Sequence, residues 1–334
     1  MRAFVFTEPS LTSRAGQFVW LDVNSDESRN AAFLEKFPVD AWPTFFVLDP
    51  EQERVALRWV GSMNVAQVHT LLDEGLRLVG GKPDPGSSSP DELLVRADRL
   101  YADRDYAGAA EAYAQAVEAA PEAWTAHARA VESLLFAYQM TDAYEKGARL
   151  AREALPRLAG TPSTLNLAIG GLDCALELPE TQPERGQLIA LFEAELRRAL
   201  GDPTLDVAAD DRSSGFNVLV RARKRAEDET GARKAAEQWA AFLETEAAEA
   251  KGPEQRTVFD SHRLSVYLEL GQPERAIPLL EASERELPDD YNPAARLAIA
   301  YKALGRWQEA IEASDRALEK VTGPRRLRVL TFGE

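Results

Sequence analysis

The residue types that most often carry chemistry are few in this sequence and widely spaced. The 334 residues include one cysteine, Cys174, and three histidines, His69, His127 and His262. A redox CxxC pair needs a second cysteine, and a zinc site needs ligands at short spacings such as HExxH. No GxxxxGK[ST], GxGxxG or GxSxG motif marks a nucleotide cradle or a nucleophilic serine. We therefore predict no catalytic residue, no cofactor and no metal within these residues.

Composition restricts the classes of partner. The net charge is −16 and the isoelectric point is about 4.8. Nucleic acids and anionic membrane surfaces repel such a protein, because both are bound mainly through Lys and Arg. No run approaches the roughly 20 apolar residues of a membrane span, and residues 1–10 show no signal-peptide pattern. We predict a cytoplasmic protein with a protein or peptide partner and an unknown oligomeric state. A signal peptide upstream of Met1 would make it periplasmic.

A break in composition divides the chain. Residues 80–90, GGKPDPGSSSP, are rich in glycine, proline and serine and predict a linker between residues 1–79 and 91–334. The front part is mixed α/β. Strands are predicted at 18–23, 44–48 and 55–60, the last two forming a hairpin. Helices are predicted from Ser25 or Asp26 to Phe37 and from Val65 to Val79.

Within this order of elements, residues 37–50, FPVDAWPTFFVLDP, carry a family resemblance. They resemble the cis-proline segment of the thioredoxin family, with Pro43 at the position of the cis-proline and Trp42 before it. The resemblance covers about residues 1–79 and implies a thioredoxin-like domain. In that fold this edge is offered to extended polypeptide, which adds as a strand. Trp42, Pro43 and Thr44 are therefore candidate polypeptide-binding residues.

The departure from the family concerns its reactive cysteines. Family members have a strand and a CxxC-bearing helix before the segment that matches Met1–Phe4, where this sequence starts. Without a thiolate nucleophile and a resolving thiol, thiol–disulfide exchange is impossible. We therefore expect the 334 residues to be non-catalytic. The alternative is a thioredoxin-family oxidoreductase whose CxxC lies upstream of Met1 in the natural protein.

The same comparison leaves the predicted sheet one strand short. In the family fold the missing strand lies between those that match 18–23 and 44–48, so two strand edges need other partners. Three arrangements remain open. The two strands close on each other, the gap is filled from elsewhere, or the natural start lies upstream.

Behind the linker the pattern is helical and repeats every 34 residues. The paired positions are Tyr267/Tyr301, Leu270/Leu304, Gly271/Gly305, Ala276/Ala310 and Ile277/Ile311. This period is typical of tetratricopeptide (TPR) helical hairpins, which stack and share a core. Residues 105–121 form a third copy and residues 128–155 a weaker one. The predicted fold is thus a partial thioredoxin-like α/β domain followed by an all-α TPR-like array.

The TPR resemblance implies a superhelix whose concave face binds peptides or extended segments. Some members hold the C-terminal carboxylate of a chaperone with Lys, Asn and Arg. The matching positions in the first copy include Asp91 and Asp98, which are unsuitable, and only Asn292 and Arg296 in the last copy fit. We keep Asn292 and Arg296 as candidate polypeptide-binding residues but expect no chaperone-tail clamp. The layout is similar to bacterial thioredoxin–TPR co-chaperones, and the predicted function is non-catalytic binding of a client or partner protein.

Overall fold

The structure of the chain is a computed structural model that describes residues 4–25, 27–79 and 89–321, together with residues 326 and 329. The contacts among these residues define two compact units. The first comprises Phe37–Val218, and the second comprises the described residues up to Lys36 and from Leu219 onward. Helices dominate both units. Among the described residues, none of these helices is long and apolar enough to cross a bilayer.

The N-terminal segment, which belongs to the second unit, differs from the prediction. It contains a short three-ten turn at Pro9–Arg14, another at Ser28–Asn30, and helix α1 at Ala31–Lys36. The strand predicted at 18–23 is wrong, because the structure has an isolated bridge between Ala15 and Phe18 and no strand after it. A strand forms only where its backbone finds a neighbouring strand, so a β-rich sequence alone does not suffice.

The predicted hairpin is confirmed and lies in the first unit. Strand β1 spans Thr44–Asp49 and pairs antiparallel with β2, Arg54–Val60. The turn is closed by Asp49, whose Oδ1 accepts hydrogen bonds from the amides of Glu51 (2.9 Å) and Gln52 (3.2 Å). Within the described residues the sheet has these two strands only. The full thioredoxin-like fold is therefore not shown.

Helix α2, Val65–Leu78, follows the hairpin and packs on β2. It begins with a capping box in which the Asn64 side chain accepts from the Gln67 amide (2.8 Å) and the Gln67 side chain accepts from the Asn64 amide (2.9 Å). The helix approaches β1 closely at Gly75, where an added Cβ would lie 2.9 Å from Cγ1 of Val47. Glycine is needed there for space.

The remaining helices of the first unit pack on one another in sequence order. Their bounds are α3 Pro90–Ala102, α4 Tyr106–Ala119, α5 His127–Met140, α6 Tyr144–Ala154, α7 Ser163–Glu177, α8 Arg185–Gly201 and α9 Ala209–Arg225, which continues past the boundary of the unit. The pair α3–α4 shows how they fit together. Small side chains at Ala97, Ala109 and Ala116 are fully buried, which lets the two helices approach around the rings of Tyr101 and Tyr113.

Most of the predicted linker, residues 80–88, lies outside the described residues. Its last two residues begin α3, where Ser89 Oγ accepts from the Glu92 amide and Pro90 occupies the first helical turn. Strand β2 packs on α3 and α5, so the hairpin and the first helices share one compact unit. The division into separate domains at residues 1–79 and 91–334 stays a prediction.

The second unit contains the clearest repeats. After α9 it comprises α10 Glu229–Glu249, α11 Pro253–Arg256, α12 Asp260–Glu269, α13 Ala276–Glu286, α14 Asn292–Ala303 and α15 Trp307–Lys320. The predicted turn glycines, Gly271 and Gly305, have φ angles of +68° and +70°, a conformation that favours glycine. Ala276 and Ala310 are buried where helices meet. The 34-residue period therefore produces the expected helical hairpins.

Candidate functional site

The segment Trp42–Thr44 enters β1 as the sequence resemblance implied. The Trp42–Pro43 peptide bond is cis, and the Trp42 side chain is 65% exposed. Thr44 Oγ1 donates to the carbonyl of Ala41 at 2.6 Å, which fixes the chain just before the strand. The indole of Trp42 is thus presented to solvent beside the start of a strand. Its role in binding polypeptide stays a prediction.

Among the described residues, no strand pairs with the outer edge of β1. The Pro43 carbonyl accepts from the Gly61 amide at 2.9 Å, so these two residues form a hydrogen-bonded pair. Because such pairs alternate along an antiparallel ladder, the backbone N–H and C=O of Thr44 and Phe46 point away from β2. No hydrogen bond from the described part of the chain reaches them on that side. These groups are free to pair with another extended segment.

The outer edge of β2, by contrast, is closed by side chains. The Arg58 amide donates to Asp98 Oδ2 at 3.1 Å, and the Arg58 carbonyl accepts from Arg129 Nη1 at 3.3 Å. Farther along, the Val55 carbonyl accepts from Arg99 Nε at 3.3 Å. A carboxylate and two guanidinium groups therefore take the places that a neighbouring strand would fill. This edge accepts no further strand.

Asp98 and Arg129 are the centre of a buried ionic network. Arg129 Nη1 lies 2.8 Å from Asp98 Oδ2, and Arg129 Nε lies 3.3 Å from Glu74 Oε2. The Tyr113 hydroxyl donates to Asp98 Oδ1 at 2.6 Å. Asp98 is completely buried, and Arg129, Glu74 and Arg58 are nearly so. Two positive and two negative side chains thus balance in the interior, as buried charges require.

The environment shifts the pKa values of these groups. Burial by itself lowers the pKa of Arg129, but the carboxylates of Asp98 and Glu74 outweigh it and raise that pKa. Burial raises the pKa of Glu74, and the Arg129 guanidinium opposes this rise. Burial and the Asp98 carboxylate raise the pKa of Tyr113 well above its usual value. Arg129 and Tyr113 therefore stay protonated at neutral pH, which keeps both as donors to Asp98.

This network was not predicted from the sequence, although the sequence contains a signal for it. On α3 the residues Leu94, Ala97, Asp98 and Tyr101 lie at the spacing of one helix face, and that face is buried. A carboxylate within an apolar helical stripe indicates a buried partner. Its partner could not be identified, because Arg129 lies on another helix.

The second set of predicted binding residues lies in the second unit. The Asn292 side chain donates to Asp290 Oδ1 at 2.7 Å, so its amide is engaged in a local turn. Burial lowers the pKa of Arg296, and the nearby carboxylates of Asp260 and Asp290 oppose that shift. Asn292 lines an open cleft of about 750 Å³ with both acidic and basic side chains. The structure does not test either residue as a peptide contact, and both stay predictions.

The described residues show little that could do chemistry. Cys174 is fully buried, and burial raises the pKa of its thiol to about 12, so the thiolate is scarce at neutral pH. Among the residues that the structure describes, no group of three or more His, Cys, Asp or Glu side chains is arranged to hold a metal ion. The open edge of β1 is therefore the feature with the clearest functional geometry.

Comparison with protein-family models supports the repeats. A tetratricopeptide-repeat family model matches residues 267–330. Among similar solved structures is a tetratricopeptide repeat protein from Parabacteroides merdae, 14% identical, with a TM-score of 0.28 and coverage of 74% of this chain and 98% of that one. The comparison with curated proteins gave no match. The chain is mostly helical and carries a helical-repeat array consistent with tetratricopeptide repeats.

Proposed function

We propose that this chain is a non-catalytic protein-interaction module that binds extended segments of client or partner proteins at the open edge of β1. The observation that carries the proposal is the contrast between the two edges of the hairpin. Side chains close the edge of β2, whereas the outward backbone groups of Thr44 and Phe46, beside the exposed Trp42, receive no hydrogen bond from the described part of the chain. An extended polypeptide adds to such an edge through main-chain hydrogen bonds.

Tetratricopeptide repeats support the same class of function, because repeat arrays expose extended surfaces suited to other proteins. The order of hairpin and α2 after Trp42–Pro43 is similar to that of a thioredoxin-like domain, so the proposal includes a role like that of the bacterial thioredoxin–TPR co-chaperones. The oxidoreductase alternative gains no support from the described residues, in which the thiol of Cys174 is buried.

A pair of variants at Phe46 tests the proposal. Phe46→Pro removes the outward N–H but leaves the bonds between β1 and β2, because proline is tolerated on the solvent side of an edge strand. Phe46→Ala is the matched control, since it loses the same contact with the Phe37 ring (centroids 6.2 Å apart) but keeps the N–H.

The probe is reduced, carboxymethylated α-lactalbumin, a permanently unfolded polypeptide, with binding to the full chain followed by fluorescence anisotropy. We expect the proline variant to bind about tenfold more weakly than the alanine variant. A lost backbone hydrogen bond is worth about 1 kcal/mol, and the pyrrolidine ring of the proline also blocks close approach of the bound segment to β1. The proposal is refuted if the wild-type chain does not bind the probe or if both variants bind it equally.

A further inference from the structure

The hairpin contacts one particular face of the helices in the first unit. Helices α3 and α5 are the first members of two successive helix pairs, α3–α4 and α5–α6, and β2 packs on both of them. The loop after β2 also reaches α9, where Ser62 Oγ donates to Asp210 Oδ2 at 3.3 Å. Asn64 Nδ2 donates to the carbonyl of Asp206, just ahead of α9, at 3.1 Å. Strand β2 thus lies on the first-helix face, which is defined here as the surface that α3 and α5 present to this strand.

This contact depends on the backbone of β2 as well as on its side chains. Asp98 accepts from the amide of Arg58, and Arg129 donates to the carbonyl of the same residue. The two side chains therefore recognise both polar groups of one strand residue, as a paired strand does. The side chains of Asp98 and Arg129 are held in place because both are buried and Arg129 Nη1 lies 2.8 Å from Asp98 Oδ2.

The Arg58 side chain adds a second means of recognition. Its guanidinium lies over the Tyr101 ring, 3.6 Å from the centroid, and 5.9 Å from the centroid of Phe136. A cation over an aromatic face is attractive, and more so when both are shielded from water. The first-helix face therefore fits a strand edge that carries an arginine, and β2 is that strand.

We infer that β2 occupies the first-helix face as a resident strand, so that partners of the first unit reach the edge of β1 and not this helical face. The inference rests on the proposed function for the identity of those partners, but the occupancy itself does not. A resident segment on the same chain has an effective concentration in the millimolar range, so a free peptide competes poorly for the same face. A segment of the same chain therefore covers the first-helix face.

Amide hydrogen exchange of the full chain tests the occupancy. The reference is the Trp59 amide, which belongs to the β1–β2 ladder, and the reporter is the Arg58 amide on the other edge. Asp98→Ala removes the acceptor, whereas Asp98→Asn keeps an oxygen at the same place. We expect the Arg58/Trp59 exchange ratio to rise about a hundredfold in Asp98→Ala and to stay near the wild-type value in Asp98→Asn, since the logarithm of an amide's protection rises with the free energy needed to open its hydrogen bond. An unchanged ratio in Asp98→Ala overturns the inference.

A footprint of the wild-type chain provides a second measurement that does not depend on how the variants fold. On addition of carboxymethylated α-lactalbumin, we expect slower exchange at residues 44–48 and unchanged exchange in α3 and α5. Slower exchange in α3 and α5 together with faster exchange at residues 54–60 shows that the probe displaces β2, which overturns the inference. If the probe does not bind at all, the proposed function fails, and the Arg58/Trp59 ratio alone decides the occupancy.

Discussion

Replacement of Arg129 by methionine should be one of the most destabilising single substitutions in the first unit. Arg129 lies between Asp98 and Glu74 with about a twentieth of its side chain exposed. Methionine fills a similar volume without charge, so the change removes the countercharge of Asp98 and a donor to the Arg58 carbonyl. It leaves the aliphatic packing largely in place.

The size of the stability loss in Arg129→Met depends on which carboxylates stay buried and charged once the guanidinium is removed. Asp98 is completely buried and keeps only uncharged donors, the Arg58 amide and the Tyr113 hydroxyl. Glu74 contributes less, because its pKa is already raised by burial and rises further once Arg129 is removed, so it accepts a proton. Removing one partner of a buried ion pair costs about 3–5 kcal/mol, and we expect a loss in that range.

Urea unfolding of the full chain, followed by tryptophan fluorescence, measures this loss. With a urea dependence of about 2–3 kcal/mol per molar, the midpoint of the transition should fall by about 1–2 M. The control is Arg149→Met, which breaks an exposed pair with Glu145 on α6 and should cost less than about 0.5 kcal/mol. A loss below about 1 kcal/mol for Arg129→Met would show that the network does not hold β2 on the helices.

Two further predictions concern the same unit. Burial and the neighbouring Asp210 charge raise the pKa of Asp211 from 3.8 to about 7. Between these two pH values the folded state holds a proton on Asp211 that the unfolded state has released, so the unit loses stability as the pH rises through 7. Asp211→Asn should therefore stabilise the unit by at most about 4 kcal/mol at pH 8 and by nothing below pH 4 in urea unfolding; equal effects at both pH values contradict this. The second prediction concerns packing and is measured by thermal unfolding. Gly147→Ala should destabilise the unit by about 1–3 kcal/mol, because its added Cβ would lie 2.6 Å from Cys174 Sγ. The control, Gly186→Ala, has open space around it and should stabilise the unit by up to about 1 kcal/mol, and the reverse order would contradict the packing argument.

Much of the helical part followed from the sequence because its signals are local. The 34-residue period placed the hairpins of the second unit, and Gly271 and Gly305 adopt the left-handed turns that their positions predicted. Strands β1 and β2 were also found, because β-forming residues flank a turn that Asp49 closes. These patterns depend on neighbours within a few residues, which the sequence displays directly.

Pairing between distant segments could not be predicted in the same way. Residues 18–23 have the composition of a buried strand, yet Val19 is 89% exposed and the segment joins no sheet of the described residues. Residues 18–23 have side chains typical of a strand, but the sequence does not show whether another segment lies beside them to take up their backbone hydrogen bonds. The residue patterns of the front part therefore predicted the hairpin and the helix after it correctly, and the strand at 18–23 incorrectly.

The sequence by itself determined the helices, the repeat period, the hairpin and the absence of a CxxC pair, because periodicity and composition fix these properties locally. Only the tertiary structure decided that Asp98 meets an amide 40 residues before it and a guanidinium 31 residues after it, and that these contacts close one edge of the hairpin and leave the other open. The physical reason is that a buried charge is stable only beside its partner, and folding in three dimensions selects that partner from many candidates.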